Sequence, residues 1–197
     1  VILSSGDNNL AYNNIIAKNK GCGMHIEYKN YASSFNNTKV YNNTIYSNVS
    51  YGIIVGSEAT NTAIKNNILY LNSGLITDLG SATVQSNNLT TDPKFANAPV
   101  GDFHLTSAST DAIDKGTVLT EFTTDFEGKT RVGNYDIGAY EFGGTVPPTP
   151  TPTPTPSPQT PVLHLKLDEG SGTIAADSSG NGNTGSLANA PTWTAGK

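Results

Sequence analysis

Cysteine, charge and long apolar runs are all scarce in this sequence, and each shortage excludes a class of protein. The single cysteine, Cys22, allows neither an internal disulfide nor a zinc site built on cysteines. Charged residues make up 14% of the chain and the net charge is −5, so we expect no nucleic-acid partner. No apolar run approaches the roughly 20 residues that a membrane-spanning helix needs, so we expect no transmembrane segment.

Helical periodicity is missing as well. No stretch repeats apolar residues at positions i, i+3 and i+4 over three turns, and the apolar runs between residues 12 and 90 are short. Glycine occurs 20 times, which is typical of a chain rich in turns. The composition therefore predicts an all-β protein.

A short phrase recurs between residues 12 and 90. Each copy opens with two asparagines and continues with an apolar run, and the copies begin at Asn13, Asn42, Asn66 and Asn87. Successive copies are thus 29, 24 and 21 residues apart, which is the range of solenoid repeats. A second apolar run follows a glycine in the first three copies, at Gly23, Gly52 and Gly74. An asparagine-rich disordered tract would not carry these regular apolar inserts.

A unit of this size cannot bury its own apolar face, so it must stack against its neighbours. Stacked coils would pair as parallel strands roughly 4.8 Å apart. An asparagine at the same turn position of every coil would then hydrogen-bond to the asparagine above and below it, as in the amide ladders of stacked β structures.

The repeated phrase resembles the right-handed parallel β-helix proteins with a pectate-lyase-like fold, over residues 1–91. That family contains polysaccharide lyases, glycoside hydrolases, epimerases and surface proteins with no assigned chemistry. Loop 29–38 explains the longest spacing, because insertions in solenoids collect at one turn. The resemblance implies the fold and leaves the activity open.

Residues 92–143 resemble the terminal segment that closes many secreted bacterial β-helix proteins. The matching motifs are Asp92-Pro93-Lys94-Phe95, Asp102-Phe103-His104-Leu105, Ala112-Ile113-Asp114-Lys115-Gly116 and Asp136-Ile137-Gly138-Ala139-Tyr140-Glu141. We expect this segment to cover the last coil as a terminal cap, because an open solenoid end exposes apolar surface and a bare strand edge. We expect its carboxylates to form turns and to pair with Arg131.

The remaining residues predict two further parts. Residues 144–161 are a Thr-Pro linker, which favours an extended polyproline II chain. Residues 162–197 resemble the opening of a laminin-G-like, concanavalin A-type jelly roll, with too few residues for the complete fold. Since the first residues, Val1-Ile2-Leu3, look like a strand of a coil already in progress, we expect the chain to be a fragment of a longer protein.

One alignment of the coils suggests a catalytic site. Setting Gly23, Gly52 and Gly74 in register places Glu27 and Asp78 on one outward face, two coils or roughly 9.6 Å apart, with His25 beside them. An inverting glycosidase holds its two carboxyl groups about 6.5–9.5 Å apart. The alternative is that Glu27, Asp78 and His25 are ordinary outward polar residues.

The sequence therefore predicts a secreted or cell-surface protein, monomeric, whose partner is a polysaccharide or another glycan. Two functions remain open. The first is a polysaccharide lyase or glycoside hydrolase whose active site lies mostly outside this fragment, with the jelly roll as a carbohydrate-binding accessory. The second is a non-catalytic adhesion or structural protein. The resemblance implies calcium as the cofactor of a lyase, although the coils carry no cluster of acidic residues that would supply its six to eight oxygen ligands.

Overall fold

The computed structural model describes residues 1–3, 6–26, 35–146, 161–189 and 191–194. The chain divides into two compact units, Val1–Pro148 and Thr149–Lys197, which are considered separately below. Three sequence predictions fall wholly or largely outside the described residues. These are the carboxylate Glu27, most of loop 29–38 and residues 147–160 of the Thr-Pro linker.

The first unit is built from short parallel strands that recur three to a coil. In chain order they are β1 Ile2–Leu3, β2 Leu10–Tyr12, β3 Ile15–Ala17, β4 Met24–Ile26, β5 Lys39–Tyr41, β6 Thr44–Tyr46, β7 Tyr51–Val55, β8 Ala63–Lys65, β9 Ile68–Tyr70, β10 Gly74–Asp78 and β11 Val84–Ser86. Sheet 1 has the order β1-β4-β7-β10, sheet 2 the order β2-β5-β8-β11 and sheet 3 the order β3-β6-β9. All pairs in these sheets are parallel, so the coils form a parallel β-helix.

The first asparagine of each repeated phrase makes the corner between sheets 2 and 3. Asn13, Asn42, Asn66 and Asn87 all have left-handed backbone conformations, with φ between 51° and 57°. Asparagine tolerates this region better than most residues with a side chain. A single such residue turns the chain sharply, and this is why the phrase recurs once per coil.

Columns of apolar side chains from all three sheets fill the interior, and sheet 1 also contributes the column Leu3, Ile26 and Val55. The other columns are Met24, Ile53 and Ile76 in sheet 1, Ala11, Val40 and Ile64 in sheet 2, and Ile16, Ile45 and Leu69 in sheet 3. Burial of such side chains supplies about 1.5–3 kcal/mol each. The sheet 2 column continues to Gln85, which is exposed, so the interior becomes polar at the last coil.

Two asparagine ladders run along the coils inside the corners. In the first, the side-chain amides of Asn14, Asn43 and Asn67 each donate to Oδ1 of the asparagine in the next coil, at 2.8–2.9 Å. The second joins Asn19 to Asn48 and Asn48 to Asn72 at 2.8 Å. The predicted ladder is therefore confirmed, and the second was not anticipated.

The register of the third coil differs from the predicted alignment. Gly74 lies opposite Tyr51, one residue before Gly52, and Ile76 lies opposite Ile53. The turn that leads from the second ladder to β10 is shorter than in the other coils, and a one-residue shift moves every side chain of a strand to the other face. As a result Ile76 packs against the core, whereas Leu75, which the alignment placed inside, is 44% exposed.

Residues 92–146 pack along the side of the coils, and the role of residues 92–143 as a terminal cap stays a prediction. They contain β12 Phe95–Asn97, a 3₁₀ helix at Ala98–Val100 and β13 Asp102–Leu105. Their aromatic and aliphatic side chains pack on the outer face of sheet 3 and on part of sheet 2. Each corner asparagine donates its side-chain amide to a backbone carbonyl of this segment, on Thr124, Asp136, Thr117 and Lys115 in coil order, at 2.7–2.8 Å, and Asn42 also donates to Gly138 at 3.2 Å. The corner asparagines are therefore also the docking points of the segment.

A buried ion pair holds the segment together. Arg131 Nη1 lies 3.0 Å from Glu141 Oε2, and both side chains are almost completely buried. Arg131 Nη2 also donates to Asn13 Oδ1 at 2.8 Å, so the pair connects the segment to the first coil. Asp125 and Asp136 accept backbone N–H groups of neighbouring turns. The interpretation of these carboxylates as turn formers and partners of Arg131 is confirmed.

The second unit is described over residues 161–189 and 191–194. It contains one antiparallel pair, β14 Ile174–Ala175 with β15 Gly185–Ser186. Asp177 organises the glycine-rich loop because its carboxylate accepts from the backbone of His164, Ser179 and Asn183, and the Ser179 hydrogen bonds hold the Asp177 pKa far below its usual value. The predicted jelly roll at residues 162–197 stays a prediction.

Candidate functional site

The outer face of sheet 1 is the first candidate site because sequence reasoning placed His25 there. His25, Ile54 and Thr77 occupy the same position in three successive strands, and all three are half-buried. The column combines an imidazole, an aliphatic side chain and a hydroxyl. It therefore offers hydrogen-bonding groups on either side of an apolar centre.

Tyr51 provides an aromatic surface on the same sheet. A Cβ atom added to Gly74 would lie 2.3 Å from Tyr51 Cδ1 and 2.5 Å from Cε1, so the ring packs directly against the Gly74 backbone. No residue with a side chain can occupy this place unless the ring moves. The Tyr51 side chain is nevertheless 43% exposed, so part of the ring remains open to solvent.

The three sheets differ in how much of their outer surface is covered. In sheet 3, Tyr46 and Tyr70 pack against Phe95 and Phe103, and in sheet 2 Tyr41 packs against residues 119–135. Within the described ranges, no hydrogen bond or hydrophobic cluster joins the side chains of Tyr51, Ile54 or Thr77 to residues 92–146. At these positions the described residues of 92–146 thus leave the outer face of sheet 1 uncovered, whereas they cover the outer face of sheet 3 and part of that of sheet 2.

The structure separates two of the three residues predicted to be catalytic. Asp78 lies opposite Val55, on the opposite side of the strand from Thr77 and the His25 column, so the alignment that placed it outward beside Gly56 is wrong. Its Oδ1 accepts from the Gly80 backbone and the Thr83 hydroxyl, both at 3.1 Å. Asp78 therefore stabilises the turn after β10. The catalytic role of Glu27, Asp78 and His25 remains an untested prediction.

Tyr51 was missed by sequence reasoning. The available signal was the shortened third repeat, in which Gly74 comes two residues after Asn72 instead of four. Because the ladder fixes Asn72 beneath Asn48, this shortening brings a glycine opposite Tyr51. The sequence shows that the third repeat is shorter, but it does not show which residue of β10 then pairs with Tyr51.

A second polar cluster centres on His104 in β13. Its Nδ1 lies 2.6 Å from Asp102 Oδ1 and its Nε2 lies 3.1 Å from Glu127 Oε1, while its ring packs against that of Tyr140 with the two planes tilted by 31°. The hydrogen bond from His104 lowers the pKa of Asp102, and Lys129 followed by His104 lowers the pKa of Glu127. The cluster links β13 to the turn at residues 125–128.

We expect this link to weaken in acid. A carboxylate whose pKa is depressed by folding adds stability above its unfolded pKa, about 3.9 for aspartate and 4.3 for glutamate, and loses it as the pH falls through the folded value. The fall in melting temperature below about pH 4 should thus be smaller in Asp102→Asn than in the unmodified protein. Thermal unfolding followed by circular dichroism tests this, with the exposed Asp111→Asn as control. Equal acid sensitivity of the three proteins would contradict it.

The expectation of calcium finds no support in the side-chain arrangement. Across the part of the chain that the structure describes, no three His, Cys, Asp or Glu side chains are grouped so that they could hold a metal ion. Asp125 instead accepts backbone N–H groups, Glu121 pairs with Lys39, and Glu141 pairs with Arg131.

Comparison with known proteins supports the fold. Residues 1–96 match a family described as the right handed beta helix region. Together with the parallel sheets, this confirms the predicted fold class of an all-β, right-handed parallel β-helix solenoid. No curated protein and no solved structure matches the chain. Among the described residues, no helix is long and apolar enough to cross a membrane.

Proposed function

We propose that this protein is an extracellular, carbohydrate-directed β-helix that binds polysaccharide along the outer face of sheet 1. The observation that carries the proposal is the partly exposed ring of Tyr51, which packs against Gly74 where β7 and β10 of that sheet begin. The C–H side of a sugar ring packs well on an aromatic face, whose quadrupole is negative.

The neighbouring residues suit such a ligand. His25 and Thr77 can hydrogen-bond sugar hydroxyls, and Ile54 between them offers an apolar contact. Their strands are the first and third of three neighbours, so they span roughly 10 Å at the spacing of parallel strands. A polysaccharide would lie across several coils and contact Tyr51 together with this column.

Binding without catalysis is the reading that the described residues favour. Asp78 hydrogen-bonds within its own turn and lies on the other side of its strand from the His25 column. A polysaccharide lyase or glycoside hydrolase, with its catalytic residues elsewhere in a longer chain, is the alternative to an adhesion protein. Secretion or display at the cell surface, and a carbohydrate-binding role for residues 162–197, are part of the same proposal.

Tyr51→Ala should weaken polysaccharide binding about tenfold, because it removes the aromatic contact and leaves Gly74 and the core unchanged. Affinity electrophoresis in gels containing polygalacturonate, alginate or xylan identifies the ligand, and titration calorimetry gives its dissociation constant. Formation of unsaturated uronate or new reducing ends in the same mixtures separates the enzyme from the adhesion protein.

Tyr12→Ala is the matched control. Tyr12 is 41% exposed, close to the 43% of Tyr51, but it lies on sheet 2, where its ring stacks on Phe122. Its removal should leave the dissociation constant within about twofold. Equal losses in the two variants, or no retardation by any of the three polysaccharides, would count against the proposal.

A further inference from the structure

A groove of about 540 Å³ lies between the outer face of sheet 3 and the first residues of the segment that packs on it. We call it the flank groove. Its lining includes Tyr46, Tyr70, Leu71, Lys94, Asn97 and Pro99. The volume falls within the range of about 300–1,000 Å³ that is typical of small-molecule sites. None of these residues belongs to the outer face of sheet 1.

The floor of the groove is a rigid aromatic cluster. The Tyr46 ring centroid lies 5.2 Å from that of Phe103 and 6.2 Å from those of Tyr70 and Phe95. Tyr46 is only 8% exposed, so its ring is fixed by packing. Phe95 and Phe103 meet edge to face at 5.3 Å. Because packing already fixes these rings, little conformational entropy is lost in ordering them when a ligand binds.

Two phenol hydroxyls at this floor form no hydrogen bond with the part of the protein that the structure describes. Within the described ranges, neither Tyr46 nor Tyr70 forms a side-chain hydrogen bond. The Tyr46 hydroxyl oxygen is not completely enclosed by protein atoms. The Tyr46 hydroxyl therefore reaches the groove although its ring is nine-tenths buried. A buried tyrosine usually finds a hydrogen-bond partner, so a ligand or solvent in the groove has to supply it.

Among the lining residues, one lysine and one aspartate are charged, and their charges cancel. Lys94 Nζ lies 2.6 Å from Asp92 Oδ2, and both side chains are about half exposed. Asn97 precedes the 3₁₀ helix but its side chain makes no capping hydrogen bond, so its amide is available to a ligand. An acidic ligand would have to compete with Asp92 for Lys94, whereas a neutral polyol can use both members of the pair.

From this combination we propose that the flank groove binds an uncharged sugar unit of a neutral oligosaccharide. The C–H faces of the sugar pack on the Tyr70 and Phe95 rings. Its hydroxyls donate to and accept from Tyr46, Tyr70, Asn97 and the Lys94–Asp92 pair. The site is separate from the outer face of sheet 1, and the proposal does not depend on polysaccharide binding there.

The test uses the whole chain with xylohexaose, cellohexaose and mannohexaose as probes and hexagalacturonate as the acidic contrast. Saturation-transfer NMR detects binding, and titration calorimetry gives dissociation constants. The variant Tyr70→Phe/Asn97→Ala removes a hydroxyl and an amide that form no hydrogen bond with the protein. We expect at least one neutral probe to bind, and the variant to weaken it about tenfold at an unchanged melting temperature.

A matched control makes the result specific. Tyr12→Phe removes an equivalent hydroxyl away from the groove, so it should keep the affinity for the neutral probe. Failure of all three neutral probes to bind would overturn the proposal, as would tighter binding of hexagalacturonate. Loss of binding in Tyr51→Ala but not in Tyr70→Phe/Asn97→Ala would refute the groove while leaving the proposed function intact.

Discussion

Replacing Asn43 by alanine should lower the free energy of unfolding by about 4–6 kcal/mol, because several buried polar groups lose their partners at once. Asn43 is fully buried in the middle of the first ladder. Its Oδ1 accepts from the backbone and side-chain amides of Asn14, and its Nδ2 donates towards the carbonyls of Ala11 and Tyr41 and towards Asn67 Oδ1, all within 2.8–3.0 Å. Each unsatisfied buried group costs about 1–3 kcal/mol.

Urea unfolding followed by far-ultraviolet circular dichroism measures this loss. At about 2–4 °C per kcal/mol for a chain of this length, the melting temperature should fall by roughly 10–20 °C. Asn14→Ala is the matched control because Asn14 belongs to the same ladder but is half-buried at its end, and we expect a loss of about 1 kcal/mol. If Asn43→Ala cost no more than Asn14→Ala, the ladder would not be a principal source of stability.

Replacing Glu141 by alanine should cost about 3–5 kcal/mol, because it leaves the Arg131 guanidinium buried without its counter-ion. Burial lowers the pKa of Arg131 and raises that of Glu141, and the ion pair opposes both shifts. Glu141 also accepts the backbone N–H groups of Val132 and Asp136, which lose their partner in the variant. The loss should appear in urea unfolding and in faster amide hydrogen exchange of residues 112–142.

The exposed pair Lys94–Asp92 provides the contrast. Its N–O distance of 2.6 Å is shorter than that of the buried pair, yet solvent screens it, so Asp92→Ala should leave the unfolding midpoint unchanged. The double variant Arg131→Met/Glu141→Leu removes both charges and should recover part of the stability that Glu141→Ala loses. Equal effects of Glu141→Ala and Asp92→Ala would show that burial does not make the Arg131 pair important.

The two proposed binding surfaces arise from different parts of the fold. The sheet 1 face depends on the coils alone, since Tyr51, Ile54 and Thr77 all belong to them. The flank groove exists only because residues 92–99 pack back on sheet 3. Variants at Tyr51 and at Tyr70 therefore test the two surfaces independently.

The sequence by itself determined the coils, the corners and the first ladder. The asparagine pairs at Asn13, Asn42, Asn66 and Asn87 repeat with apolar runs between them, and a repeated local sequence adopts a repeated local conformation. The parallel pairing follows because each unit can bury its apolar face only against its neighbours. The partnership of Arg131 with a carboxylate was also predictable, although sequence reasoning could not identify Glu141 as that partner.

The tertiary structure alone decided the register of the third coil, the packing of residues 92–146 on the side of the coils, and both candidate binding surfaces. Each depends on contacts between residues far apart in the chain, such as Asn13 with Thr124 and Tyr46 with Phe103. A one-residue difference in a turn moved Asp78 to the other side of its strand and placed Gly74 against Tyr51. Composition and spacing define how a coil is built, whereas the side chains that share a surface are fixed only when the coils and the segment beside them are packed together.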